Sequence, residues 1–76
     1  MKSLRSRTHQ ALCAALVEAR KGAKLSQQEL ARRLRRSQSF VAKIEVGERR
    51  LDVLEFIEIA RALNQDPAEL LSRVLG

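Results

Sequence analysis

Tryptophan and tyrosine are absent from these 76 residues, and phenylalanine occurs twice. Stacking of bases on aromatic side chains is therefore excluded as the main way of holding a nucleic acid. A single cysteine, Cys13, rules out an internal disulfide and reads as a small core residue in a reducing cytoplasm. One proline, Pro67, and three glycines leave little to interrupt helices. No stretch approaches the ~20 apolar residues of a membrane span. The basic stretch Met1–Arg7 ahead of apolar Ala11–Val17 has the outline of an export signal. That apolar run is at the short limit, and Glu18 and Arg20 follow at once, so a cytoplasmic location is expected. Missing too are a Ser/His/acid set and a Gly-rich phosphate loop, so no enzyme is expected. His9 and Cys13, four apart, offer two ligands where a structural zinc takes four; no metal and no cofactor are expected.

What the chain has in quantity is positive charge, at a formal net of +6. Residues 1–50 hold thirteen Lys/Arg against four Glu, a net of +9; residues 51–76 hold two Arg against five acids, a net of −3. A chain basic in its first two thirds and acidic in the rest presents one face to a polyanion and another to something else. The length fits one domain over residues 1–76, with 1–7 a candidate flexible basic arm. Lys2, Arg5 and Arg7 of that arm suit a minor groove.

Apolar residues recur with helical spacing throughout, and the pattern predicts five helices and an all-α fold. The first runs from about His9 to Lys21, capped by Thr8 or Ser6, and Gly22 ends it. The second opens on the capping box Ser26-Gln27-Gln28-Glu29 and runs to about Leu34. The third follows Ser37 and runs from Gln38 to about Val46, where Gly47 supplies a left-handed stop. The fourth opens at Asp52, with Glu55 three residues on, and ends near Leu63, with Asn64 in the left-handed position. The fifth opens with Asp66-Pro67-Ala68-Glu69. Only Arg35–Ser37 join the second helix to the third, which is the geometry of a helix-turn-helix unit.

Gln38, Ser39, Ala42 and Lys43 share one face of the third helix, opposite Val41 and Ile44. That face is polar and free of acid. A helix fits the major groove, and the residues at its N-terminus meet base edges. Gln bonds adenine N6 and N7, Lys donates to guanine, Ser is permissive and Ala touches a thymine methyl. An ordinary solvated helix face has the same composition, so this pattern alone does not decide.

Residues 16–71 resemble the Cro and lambda-repressor-like (XRE-type) family of helix-turn-helix regulators. The likeness rests on Leu25-Ser26-Gln27-Gln28-Glu29-Leu30-Ala31, Ser37-Gln38-Ser39-Phe40-Val41-Ala42-Lys43-Ile44-Glu45, Gly47-Glu48-Arg49-Arg50 and Ile59-Ala60-Arg61-Ala62-Leu63. It implies a compact five-helix DNA-binding domain. It also implies that Gln38, Ser39, Ala42 and Lys43 read bases, that Gln27 meets a phosphate and steadies the recognition helix, and that Arg49 and Arg50 meet phosphates. Gln28, Ser37, Arg35 and Arg36 complete the expected phosphate set, in line with the anion affinity of helix N-termini and arginines. Arg20 and Glu45 match a structural salt bridge of the family. Three positions where the family often has Gly carry Lys24, Arg35 and Asn64, and Arg36 stands where an apolar residue is common. The turn before the third helix therefore departs most, and Arg32, Arg33, Arg35 and Arg36 form a charge run that extends the phosphate surface or is merely solvated.

Val53, Phe56, Ile57, Ile59, Ala60 and Leu63 cover nearly half of the fourth helix, and Leu54 lies outside that arc. With Leu70, Leu71, Val74 and Leu75 on the fifth, this is more apolar surface than so small a domain readily buries. Leu54, Leu70, Leu71, Val74 and Leu75 are the expected dimer surface. A two-fold dimer would place two recognition helices one DNA turn apart on a near-palindromic site. The expectation is a homodimeric, sequence-specific binder of double-stranded DNA. At this length it is expected to act by occupying an operator, which favours repression, with activation by touching polymerase as the alternative. The same apolar surplus would suit a toxin in a toxin–antitoxin pair, and the fold also serves as a protein-interaction module without DNA. The acid-free face and the basic residues 1–50 favour DNA.

Overall fold

A computed structural model describes residues 6–76. Among them are five helices: α1 (Arg7–Gly22), α2 (Gln27–Leu34), α3 (Gln38–Glu45), α4 (Val53–Ala62) and α5 (Pro67–Leu75). Lys2 and Arg5 of the expected basic arm lie outside the described residues, while Arg7 is the first residue of α1.

Each helix starts where a side chain satisfies its orphan amides. Ser6 Oγ accepts from His9 N at 3.0 Å, so α1 opens two residues earlier than the apolar spacing suggests. Ser26 and Glu29 close a reciprocal capping box on α2, and Asp52 and Glu55 do the same on α4. Ser37 Oγ accepts from Phe40 N at 3.2 Å, and Asp66 Oδ1 accepts from Ala68 N at 2.9 Å ahead of Pro67.

Four helix ends share one device. After α2, Arg35 N donates to Arg32 O at 3.1 Å and Arg36 N to Ala31 O at 2.9 Å, with Arg35 left-handed at φ 59°. Lys24 (φ 61°), Gly47 (φ 86°) and Asn64 (φ 60°) occupy the same position after α1, α3 and α4, with matching pairs of bonds. Gly22 is therefore not the stop of α1: it is the last helical residue, Ala23 follows in the right-handed region, and Lys24 makes the reversal. A left-handed conformation costs an L-residue about 1–2 kcal/mol. Lys24 and Arg35 carry that cost where glycine would not.

The helices pack α2 on α3 and α4, α1 on α3 and α5, and α4 on α5. Their shared core holds Leu16, Leu30, Val41, Ile44, Ile59 and Leu70 among its buried residues. Leu70 is 0 % exposed, so it is a core residue and not the surface residue expected from its neighbours. Val53, at the first turn of α4, is 72 % exposed although its spacing places it with the inward arc. No helix among the described residues is long and apolar enough to cross a membrane.

Candidate nucleic-acid interface

The α2 capping box and the three-residue turn Arg35–Ser37 set α3 at the surface, with Val41 and Ile44 anchored in the core. Gln38, Ser39 and Lys43 are exposed, and Ala42 is half-buried beside them. Glu45, the one acid of α3, turns away from this face and onto α1. Arg20 Nε donates to Glu45 Oε2 at 2.7 Å and Nη2 to Oε1 at 3.1 Å, while Nη1 donates to Leu25 O at 2.8 Å. The two side chains are only 11 % and 7 % exposed.

Gln27 extends that pair to the recognition face. Its Nε2 donates to Glu45 Oε1 at 2.9 Å, and its Oε1 accepts from Gln38 Nε2 at 3.4 Å. One polar chain thus runs Arg20–Glu45–Gln27–Gln38, from the inside of α1 to the first residue of α3. It leaves Gln38 Oε1 and one N–H for a base edge, which is what a bidentate contact to adenine requires.

Of the expected phosphate set, Gln28, Ser37, Arg35, Arg36 and Arg50 are exposed, and Gln27 and Arg49 are half-buried. Arg49 is engaged with the protein's own surface, its side chain 38 % exposed. Its Nη1 and Nη2 donate to Glu55 Oε1 and Oε2, both at 2.9 Å, and Nη1 also donates to Arg50 O at 2.8 Å. Its guanidinium carbon stands 4.7 Å from the centre of the Phe40 ring, and that of Arg36 stands 4.2 Å from the same ring. Arg36 Nη2 lies 3.6 Å from Glu55 Oε2. The Arg49 guanidinium first, and then the Asp52 amide, hold the Glu55 carboxyl down at about 2.

Phe40 and Glu55 did not stand out as functional residues in the sequence. Phe40 looks like a core neighbour, and Glu55 like the third residue of a capping box. The six-residue step from Arg49 to Glu55 crosses a loop, where no helical spacing signals a pair. Arg33, part of the charge run, donates from Nη1 to Ala62 O at 2.9 Å and so ties α2 to the end of α4.

His9 is buried, with Nε2 3.3 Å from Gly47 O and 3.8 Å from Cys13 Sγ. A side chain at Gly47 would meet that imidazole, its Cβ lying 3.7 Å from Nε2, so the turn after α3 packs closely on α1. Burial pushes the Cys13 thiol up. Among the described residues no group of three or more His, Cys, Asp or Glu is placed to hold a metal ion.

Two short helices across a tight turn, the second exposing a polar face, define a helix-turn-helix protein. Residues 16–70 match the helix-turn-helix family, and the chain belongs to its XRE-type branch of DNA-binding regulators. The structure is similar to an XRE-family like protein from Pseudomonas syringae pv. tomato, with a TM-score of 0.88 at 49 % identity, over 97 % of this chain and 90 % of that one. It is also similar to the clp gene regulator ClgR from Corynebacterium glutamicum. That TM-score is 0.83 at 26 % identity, over 91 % of this chain and 88 % of that one. Among curated proteins none matches the sequence.

Proposed function

We propose that the protein regulates transcription by binding a near-palindromic operator in double-stranded DNA as a homodimer, with α3 in the major groove, and that it represses. The observation that carries this reading is the fixed start of α3. Gln38 is both exposed and tied through Gln27 to a buried ion pair, so a base-reading amide is held in place before DNA arrives. Gln38, Ser39, Ala42 and Lys43 read bases. Gln27, Gln28, Ser37, Arg35 and Arg50 face the backbone, with Arg36 and Arg49 beside them paired to Glu55. The likeness to a protein named as a gene regulator supports the same reading.

The dimer rests on apolar surface. Leu54, Leu71 and Leu75 are 71 %, 43 % and 73 % exposed, with Val74 half-buried beside them in sequence. Leu71 also borders an apolar groove of about 190 Å³ lined by Leu12, Leu51, Val53 and Phe56. Exposed apolar side chains in this number on so small a domain mark an association site.

Selection of tight sites from a random duplex pool, followed by salt titration, tests the proposal. A two-fold symmetric consensus whose binding weakens steeply with salt is the expected result. A pool that yields no consensus would sink it.

A further inference from the structure

We propose that Glu55 is a specificity-determining residue: with Phe40 it holds Arg36 and Arg49 against the protein, so that they do not grip DNA backbone indiscriminately. The inference rests on the DNA-binding reading above and extends it to Glu55 and Phe40, to which that reading gives no role.

Four elements meet at this point. Arg36 comes from the α2–α3 turn, Phe40 from α3, Arg49 from the loop after α3, and Glu55 from α4. One carboxylate oxygen, Glu55 Oε2, takes Arg49 at 2.9 Å and has Arg36 at 3.6 Å. The other, Oε1, accepts from Arg49 and also from the Asp52 amide at 3.1 Å, so the carboxylate is anchored to the start of α4. Both guanidiniums lie over one aromatic ring. A surface arginine that merely awaits a phosphate needs none of this. Two cations and one anion leave the cluster at +1 where two free arginines would present +2. Non-specific binding is set by the number of phosphates that cations neutralise, at a salt slope of about 0.9 per phosphate. Holding these arginines back lowers that sequence-independent term and leaves the base contacts of α3 a larger share of the affinity.

The test is Glu55→Gln in the full chain. Glutamine also closes a capping box, so the start of α4 survives while the charge is removed. On a random-sequence duplex the variant is expected to bind about tenfold more tightly at low salt, with a salt slope steeper by about 1, one further phosphate being neutralised. Its preference for the selected site over random duplex is expected to fall by a similar factor. Adding Arg49→Gln removes a freed cation and is expected to bring the slope back. Glu69→Gln on α5 deletes the same charge without freeing a guanidinium, and is expected to leave the slope unchanged. Phe40→Leu, which keeps the apolar contact and removes the ring, is expected to move slope and preference in the same direction as Glu55→Gln. It serves as the readout if that variant does not fold.

An unchanged slope on random duplex in Glu55→Gln would overturn the proposal, as would an equal loss of binding to selected and random DNA. An equal rise from Glu69→Gln would overturn it too, since net charge alone would then explain the effect. If the parent protein selects no sequence, the operator reading fails by that result. The slope on random duplex still decides the role of Glu55.

Discussion

Arg20 and Glu45 stand 25 residues apart in the chain, and their side chains meet at 2.7 Å beneath the recognition helix. The pair fixes the end of α3 to α1, and through Gln27 it reaches the beginning of α3 as well. Because both partners are almost wholly shielded, removing one strands a buried charge. Arg20→Ala or Glu45→Ala is therefore expected to cost about 3–5 kcal/mol, against under about 1 kcal/mol for an exposed pair. Urea unfolding of both single variants and the double variant checks this. A double variant no worse than either single shows that the stranded charge causes the loss.

Gln27→Ala separates the polar chain's structural part from its recognition part. Arg20 and Glu45 keep two direct bonds to each other without Gln27, whereas Gln38 loses its tether. The variant is expected to melt close to the parent, while discrimination at the base read by Gln38 falls. Gln38→Ala removes that reading outright, at about 1–3 kcal/mol, and Lys43→Ala removes its own base contact by a similar amount. Competition binding against single-base variants of the selected site is the measurement. A uniform loss across all positions would instead place these residues on the backbone.

The helix starts were open to reading in sequence because each depends on neighbours a few residues apart. Ser26 with Glu29, Ser37 before α3, Asp52 with Glu55 and Asp66 before Pro67 are all local signals. The base-reading face of α3 is local in the same way, since Gln38, Ser39, Ala42 and Lys43 follow from helical spacing. What spacing could not show is how each helix is rotated against its partners. Leu70 and Leu71 both lie on the apolar side of α5, yet one is wholly buried and the other half exposed. Val53 is periodic with Phe56 and Ile57, but at the helix start it only borders the groove shared with Leu12 and Leu71 and stays 72 % exposed. Arg49 and Arg36 read as free cations because a loop or a turn, with no helical spacing, separates them from Glu55 and Phe40.

That rotation separates two neighbouring leucines experimentally. Leu70→Ala empties a fully packed site and is expected to lose about 2–5 kcal/mol of stability. Leu71→Ala and Leu75→Ala delete side chains that are 43 % and 73 % exposed and are expected to cost about 1 kcal/mol or less each in the isolated chain. If they line the proposed dimer surface, both together will shift sedimentation towards monomer. A pair variant that stays dimeric would move the interface away from α5.

The left-handed residues offer a gain in stability. Lys24 and Arg35 each hold φ near 60°, a conformation that glycine adopts without a Cβ clash. Replacing either by glycine removes about 1–2 kcal/mol of strain and costs roughly 0.5–1 kcal/mol in unfolded-chain entropy. Lys24→Gly and Arg35→Gly are each expected to raise the melting temperature by a few degrees. Lys24→Ala and Arg35→Ala keep the clash and are expected to gain nothing. A melt series of these four variants checks the argument, and equal behaviour of Gly and Ala would show that the strain is not there.

Acid sensitivity isolates the Glu55 cluster. The Glu55 carboxyl is held at about 2 in the folded protein, below the usual glutamate value, chiefly by Arg49. A depressed carboxyl contributes stability that is complete above its unfolded value, near 4.3, and is lost as pH falls through its folded value. Lowering the pH from 5 to 2 should therefore reduce the melting temperature, with the loss continuing down to about 2. In Glu55→Gln that part of the profile should flatten, because no proton is taken up there on unfolding. The remaining slope belongs to other carboxylates such as Glu29, which its bonds to Ser26 also hold low. Melts of both proteins across this range decide the point. Parallel profiles would mean that the bidentate pair with Arg49 does not persist in solution.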